Sequence, residues 1–161
     1  NELKHTPSFK PEYWSRYYDY LLKKPSWSIT AVENINSSTD EIMNSLTNPR
    51  KGMAGERMGM VFGYVQSGKT AHYIGMINKA YDAGYRIVIV LSGIHNSLRS
   101  QTQSRFDEEV LGYETSLESI GDMTPERNAI GVGIGPYNQV ETPVQAITTR
   151  DEKGDVNKKT E

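Results

Sequence analysis

The stretch Gly63-Tyr64-Val65-Gln66-Ser67-Gly68-Lys69-Thr70 constrains this chain more than any other, because it fits G-x-x-x-x-G-K-[ST] at every fixed position. Each fixed residue type has a physical task. Gly63 and Gly68 permit positive φ, so the successive N–H groups from Val65 through Gln66 and Ser67 can curl around one anion. Lys69 sets an ammonium against the β- and γ-phosphates of a nucleotide, and the Thr70 hydroxyl is the Mg²⁺ ligand of the pattern. Such a loop lies between a strand and a helix, whose N-terminus adds partial positive charge. Met58 to Phe62 reads as the short buried strand and Lys69 to about Ala83 as the helix. Random coincidence of the fixed positions is expected in roughly 1% of chains of this length. ATP with Mg²⁺ is therefore the expected cofactor.

Beyond the loop, Ala71, Ile74, Ile77 and Tyr81 share one helix face, and Gly75 is read as a close helix–sheet approach. Gly84 is the expected left-handed cap. The β-branched run Arg86–Leu91 has the composition of a parallel strand covered on both faces, so strand, loop, helix and strand predict a right-handed βαβ unit. A helix from Asn96 or Ser97 to about Leu111 follows, with Gly112 past its end. Ile130–Gly135 reads as a strand with glycines at a bend, Val144–Thr148 as one more strand, and Thr149–Glu161 as a charged surface loop or tail.

Ahead of the loop, Pro11 and Glu12 suit the start of a helix. Tyr13, Trp14, Tyr17, Tyr18, Leu21 and Leu22 give it one aromatic face, read as a docking surface in preference to a base-stacking platform. A second helix is expected over Trp27–Asn36. A third is expected from the S-x-x-E capping box at Ser38 and Glu41, closed by Asn48-Pro49. Arg50-Lys51-Gly52 is a basic connector. The predicted organisation is thus a helical segment, 1–52, before a nucleotide-binding lobe, 53–161.

Composition narrows the classes. The 161 residues carry a net charge of −2, which gives no global attraction to nucleic acid or anionic membrane. The absence of cysteine excludes a disulfide scaffold and fits a reducing cytoplasm. No apolar run approaches bilayer length, so no membrane partner is expected. Hydrophobic residues make up 36%, low enough that part of the chain should be loose or borrow burial from elsewhere. The start at Asn1 and the polar end at Lys158–Glu161 lead us to expect an excised piece of a longer protein.

The chain resembles the Z-one domain family of bacterial restriction and phage-defence systems, which carries an endonuclease label. The resemblance rests on Gly59–Thr70, with its V-Q-S-G-K-T core, on Tyr73–Ile77 and Ala83–Tyr85, and on Ser92–Gln103. It implies a superfamily-two, helicase-like ATPase with a RecA-like core, of which this chain is part of the first lobe. The fold implied is α/β, a partial parallel sheet with flanking helices. Asn96, Arg99 and Gln101 then fall where a nucleic-acid strand is touched. The acidic D-E-A-D-type and T-A-T motifs of the family are missing from this sequence. DNA, the remaining parts of the same polypeptide and other restriction or defence proteins are the partners implied. Two further readings stay open: a nucleotide-gated interaction module that never handles DNA, and a metal-dependent endonuclease subunit.

Other acidic or titratable candidates have plainer accounts. Asp151-Glu152-Lys153 spells a D-x-K triplet but lacks an apolar strand ahead of it, and reads as solvated loop charge. Asp107, Glu108 and Glu109 are adjacent and spread around a helix rather than converging on a metal. His95 reads as a solvated or capping residue, and G-x-G-x-G over Gly131–Gly135 as a flexible stretch.

Overall fold

The structure is a computed structural model, and it describes residues 11–51, 55–62, 68–92, 95–115, 128–135, 140 and 143–150. Among the described residues four α-helices form: α1 over Glu12–Lys23, α2 over Ile29–Ser45, α3 over Lys69–Ala83 and α4 over Asn96–Phe106. The chain parts into two compact units, Asn1–Val88 and Ile89–Glu161, so the first takes in α3 as well as the helical segment expected over 1–52.

The expected α/β fold with a parallel sheet is not what forms. Among the described residues there is no strand, and the one β-bridge joins Tyr113 to Ala129 in antiparallel sense. Met58–Phe62 and Arg86–Leu91, the predicted strands of the βαβ unit, have no ladder partner among the described residues; Met58 is 92% exposed, Phe62 84% and Leu91 91%. Val144–Thr148 forms no strand either, and Ile130–Gly135 holds a 3₁₀ turn at Gly131–Gly133. The physical reason is that β-branched composition records fitness for a half-buried pleated surface and creates no partner. A lone strand leaves its N–H and C=O groups to water, whereas a helix satisfies them within itself.

In the first unit α1 and α2 pack on α3. The aromatic face of α1 is a docking face: Tyr13, Trp14, Tyr17 and Leu21 are buried, Tyr13 meets the ring of Tyr81, and the Tyr17 hydroxyl donates to the Ala71 carbonyl at 3.2 Å. Gly75 sits where these helices come closest. A Cβ there would lie 3.0 Å from Trp14 Cζ3 and 3.3 Å from Ile35 Cγ2, so the close approach is helix to helix rather than helix to sheet. Lys79 lies beside it, over the Trp14 ring at 4.2 Å. It donates to the Asn36 carbonyl at 2.7 Å and pairs with Asp40 at 2.8 Å, so its buried charge is matched.

One continuous helix replaces the two expected over Trp27–Leu46. Ser28 is its N-cap, accepting from the Ala31 N–H, and Ser38 lies mid-helix. No capping box forms at Ser38. Its hydroxyl donates back to the Asn34 carbonyl at 2.7 Å, and that of Thr39 to Ile35 at 2.6 Å, which satisfies both groups inside the helix. Met43 packs with Ala80 and Ala83, and Leu46, Met76 and Tyr85 cover them. Gly84 does end α3 in the left-handed conformation, φ 99°, and the Tyr85 N–H closes back to the Ala80 carbonyl at 3.0 Å.

Asp82 ties the start of α1 to the end of α3. Its carboxylate accepts from the Tyr13 N–H at 2.9 Å and the Trp14 N–H at 2.8 Å, a cap supplied by a residue 68–69 positions away. Burial pushes the Asp82 pKa up to about 6, and the N–H bonds to α1 pull it back only in part. Buried Arg16 feels this charge, and its own pKa is lowered by burial.

In the second unit α4 runs into a π-helical turn, Asp107–Leu111, ended by left-handed Gly112. The Asp107 carboxylate accepts from the Thr115 N–H at 2.9 Å and from Gln103 Nε2 at 2.9 Å. The 3₁₀ turn lies directly on this element. A Cβ on Gly131 would sit 1.9 Å from the Glu108 carbonyl oxygen, and one on Gly133 1.8 Å from that of Gly112. These glycines therefore serve close backbone approach, not flexibility.

Two outcomes are expected. Gly75→Val should destabilise the chain by about 2–3 kcal/mol through overpacking against Trp14 and Ile35, measured by urea unfolding. Because Asp82 binds its proton more tightly folded than unfolded, it stabilises below pH 3.8, and that contribution is lost as pH rises through about 6. Parent minus Asp82→Asn stability should thus fall across this window by roughly 2–3 kcal/mol.

Candidate functional site

Gly63, Tyr64, Val65, Gln66 and Ser67 lie outside the described residues; Gly68, Lys69 and Thr70 lie within them. Gly68 is the N-cap of α3 and is left-handed, φ 79° and ψ 15°, a conformation that disfavours residues with a side chain. It contributes no side-chain cap to the helix. Lys69 is exposed and Thr70 half-buried at the first turn. The 15-residue helix behind them is anchored from α1 at Ala71, so its start is fixed by packing as well as by its own hydrogen bonds. A left-handed glycine leading into an anchored helix directs backbone N–H groups and the positive end of the dipole outward together.

Trp27, in the link between α1 and α2, stands against this turn. A Cβ on Gly68 would be 3.4 Å from Trp27 Cη2 and 4.0 Å from Cζ3. Sequence reasoning assigned Trp27 only to the start of a helix. No local pattern marks a contact across 41 positions.

One turn further along α3, His72 Nε2 lies 2.8 Å from Ser38 Oγ. Burial, and then Lys79, lowers the His72 pKa, which favours the neutral ring. This is not a nucleophile and its base. The Ser38 hydroxyl is also within hydrogen-bond distance of the Asn34 carbonyl, 2.7 Å, and of the Ile35 carbonyl, 3.2 Å, inside its own helix, and its contact with His72 fastens α2 to α3.

The residues expected to touch nucleic acid, Asn96, Arg99 and Gln101, all fall on α4, Asn96 at its first position and Gln101 at its middle. Asn96 and Gln101 are exposed, whereas Arg99 is half-buried and its Nη1 donates to the Thr149 carbonyl at 3.0 Å. Arg99 thus holds the 143–150 segment, helped by Thr148 donating to Gln103 at 2.8 Å and by the Arg150–Glu114 pair at 2.9 Å. Thr149 itself is buried, unlike the surface position expected of it. His95 is the exposed N-cap of α4 and makes no side-chain cap. Asp107 and Glu109 are buried inside the second unit, Glu109 beside Arg105 at 3.3 Å.

Among the described residues no three His, Cys, Asp or Glu side chains are grouped to hold a metal ion. Thr70 is the one Mg²⁺ ligand of the expected set that falls within them, and Asp151, Glu152 and Lys153 lie outside. An open cavity of about 310 Å³ lies elsewhere, lined by Leu46, Thr47, Pro49, Gly55, Arg57 and Tyr85, none of which the sequence singled out for chemistry. Among the described residues no helix is long and apolar enough to cross a membrane.

Comparison with protein-family models, with curated proteins and with solved structures found no match to this chain. The likeness to the Z-one family therefore rests on the residues quoted for it alone.

Arg99→Ala should release the 143–150 segment. Hydrogen exchange at the Arg150 amide, which donates to the Thr115 carbonyl at 3.3 Å, is expected to speed up by about fivefold, the loss of roughly 1 kcal/mol of local stability.

Proposed function

We propose that this chain binds a nucleoside triphosphate through Gly63–Thr70, as the nucleotide-holding part of a helicase-like ATPase that acts on DNA in restriction or phage defence. The observation that carries the nucleotide reading is the left-handed Gly68 at the start of α3, followed by exposed Lys69 and by Thr70. The G-x-x-x-x-G-K-[ST] pattern calls for that conformation at that glycine, and it is rare at other residue types. In this reading the backbone N–H groups take the phosphates and Lys69 neutralises the terminal charge. Mg²⁺, held by the nucleotide and by Thr70, supplies charge neutralisation between the phosphates. Hydrolysis requires a carboxylate to hold the metal and orient water, and usually an arginine as well.

The DNA-acting part of the reading is supported by the resemblance over Ser92–Gln103 and by exposed Asn96 and Gln101 on α4. A second reading, a nucleotide-gated docking module, is favoured by the exposed apolar side chains of Met58, Met60 and Phe62 just ahead of the loop. Stimulation of ATP turnover by DNA separates the two.

Lys69→Ala should weaken Mg-ATP binding by about 2–4 kcal/mol, roughly 30- to 1000-fold, by calorimetry. Its circular dichroism should match the parent's, because the side chain is exposed. Equal affinity of variant and parent would falsify the phosphate-loop reading.

A further inference from the structure

We propose that Trp27 is a positioning residue for the nucleotide loop: its indole seats on the face of Gly68 that a Cβ would occupy and holds the left-handed turn from which α3 starts. This rests on the nucleotide reading of Gly63–Thr70 and adds to it the segment of chain that governs affinity. Three observations carry it.

The first is the contact itself, which places Cη2 of the indole 3.4 Å from the Cβ position of Gly68, ordinary van der Waals distance. The ring stands over the one side of the turn residue where glycine is bare. The second is the conformation it touches. Gly68 stands at φ 79°, one of several wells open to glycine, and glycine loses more freedom on ordering than any other residue. A rigid ring standing over that turn narrows the choice before any ligand arrives, which is how preorganisation raises affinity.

The third is how firmly Trp27 is itself held. Its N–H donates to the Lys24 carbonyl at 3.0 Å, and the next residue, Ser28, caps α2. On either side of it, α1 and α2 are fixed to α3 through the Tyr17–Ala71 bond, the Ser38–His72 contact and the Lys79–Asp40 pair. Trp27 is only half-buried, so its placement is not explained by filling a core. Nucleotide affinity should therefore depend on the α1–α2 link as well as on the loop's own residues.

The chain has two tryptophans, and Trp14 is buried between α1 and α3 away from this turn, so Trp14→Phe leaves Trp27 as the sole indole reporter. In that background, Mg-ADP should shift or quench the Trp27 emission, saturating at the dissociation constant that calorimetry gives. Trp27→Ala in the whole chain should weaken Mg-ADP binding by about tenfold with helical dichroism unchanged, and Trp27→Phe should restore it to within about threefold of the parent. If Trp27→Ala loses helical dichroism, the phenylalanine variant and the emission titration decide. Mg-ADP binding with unaltered Trp27 emission, or Trp27→Ala binding as the parent does, overturns this inference and leaves the loop reading standing. No Mg-ADP binding by the parent, or equal binding by Lys69→Ala, overturns both.

Discussion

The absence of a side chain at Gly75 is the constraint on which the first unit depends. It lets α1 and α2 approach α3 until Trp14 and Ile35 occupy the space a Cβ would need. Lys79, one turn on, is brought under the Trp14 ring and against Asn36 and Asp40, so its charge is buried with partners. Such a pair adds little net stability over apolar residues of similar volume, but removing one partner leaves an uncompensated charge, so it specifies this arrangement against others. The buried aromatic residues of α1 supply the main driving force, about 1.5–3 kcal/mol for each large side chain taken from water.

The ends of α3 are treated differently. At its C-terminal end Gly84 closes the helix through its own backbone, while Asp82 reaches across to cap α1. Arg50 Nη2 adds a bond to the Asp82 carbonyl at 3.0 Å, so the basic connector is pinned at that residue. At its N-terminal end Gly68 offers no side-chain cap, and the exposed Lys69 follows at once. A helix closed at one end and uncapped by its own N-cap residue at the other suits an external anion at the start.

The second unit is organised around a backbone contact instead of an aromatic face. Gly131 and Gly133 bring the 3₁₀ turn onto the carbonyls of Glu108 and Gly112, and Asp107 fastens Thr115 to the π-helical turn. Burial raises the Asp107 pKa, and the bonds from Thr115 and Gln103 oppose that rise. Asp107 serves local structure: its carboxylate takes the Thr115 N–H, a backbone group of the irregular chain after α4.

Local features of this protein were legible in its sequence. The helix from Lys69, the left-handed Gly84, the helix end before Gly112 and the aromatic face of α1 all follow from spacing and from the conformations glycine allows. The glycine at which α3 begins was legible too, because positive φ is open to glycine without steric cost. What faced those elements was not legible. The β-branched run Arg86–Leu91 fixed a preference for extended chain, but a sheet needs a partner strand, and the sequence does not say where one lies. Ser38 had the side chain of a cap, yet back-bonding to Asn34 let α2 run through it. The tertiary structure alone decided that Gly75 meets helices, that Asp82 caps α1, that Arg99 binds Thr149 and that Trp27 covers Gly68. Each of these joins residues far apart in the chain, where the cost of closing the intervening loop is met only by the packing of the whole unit.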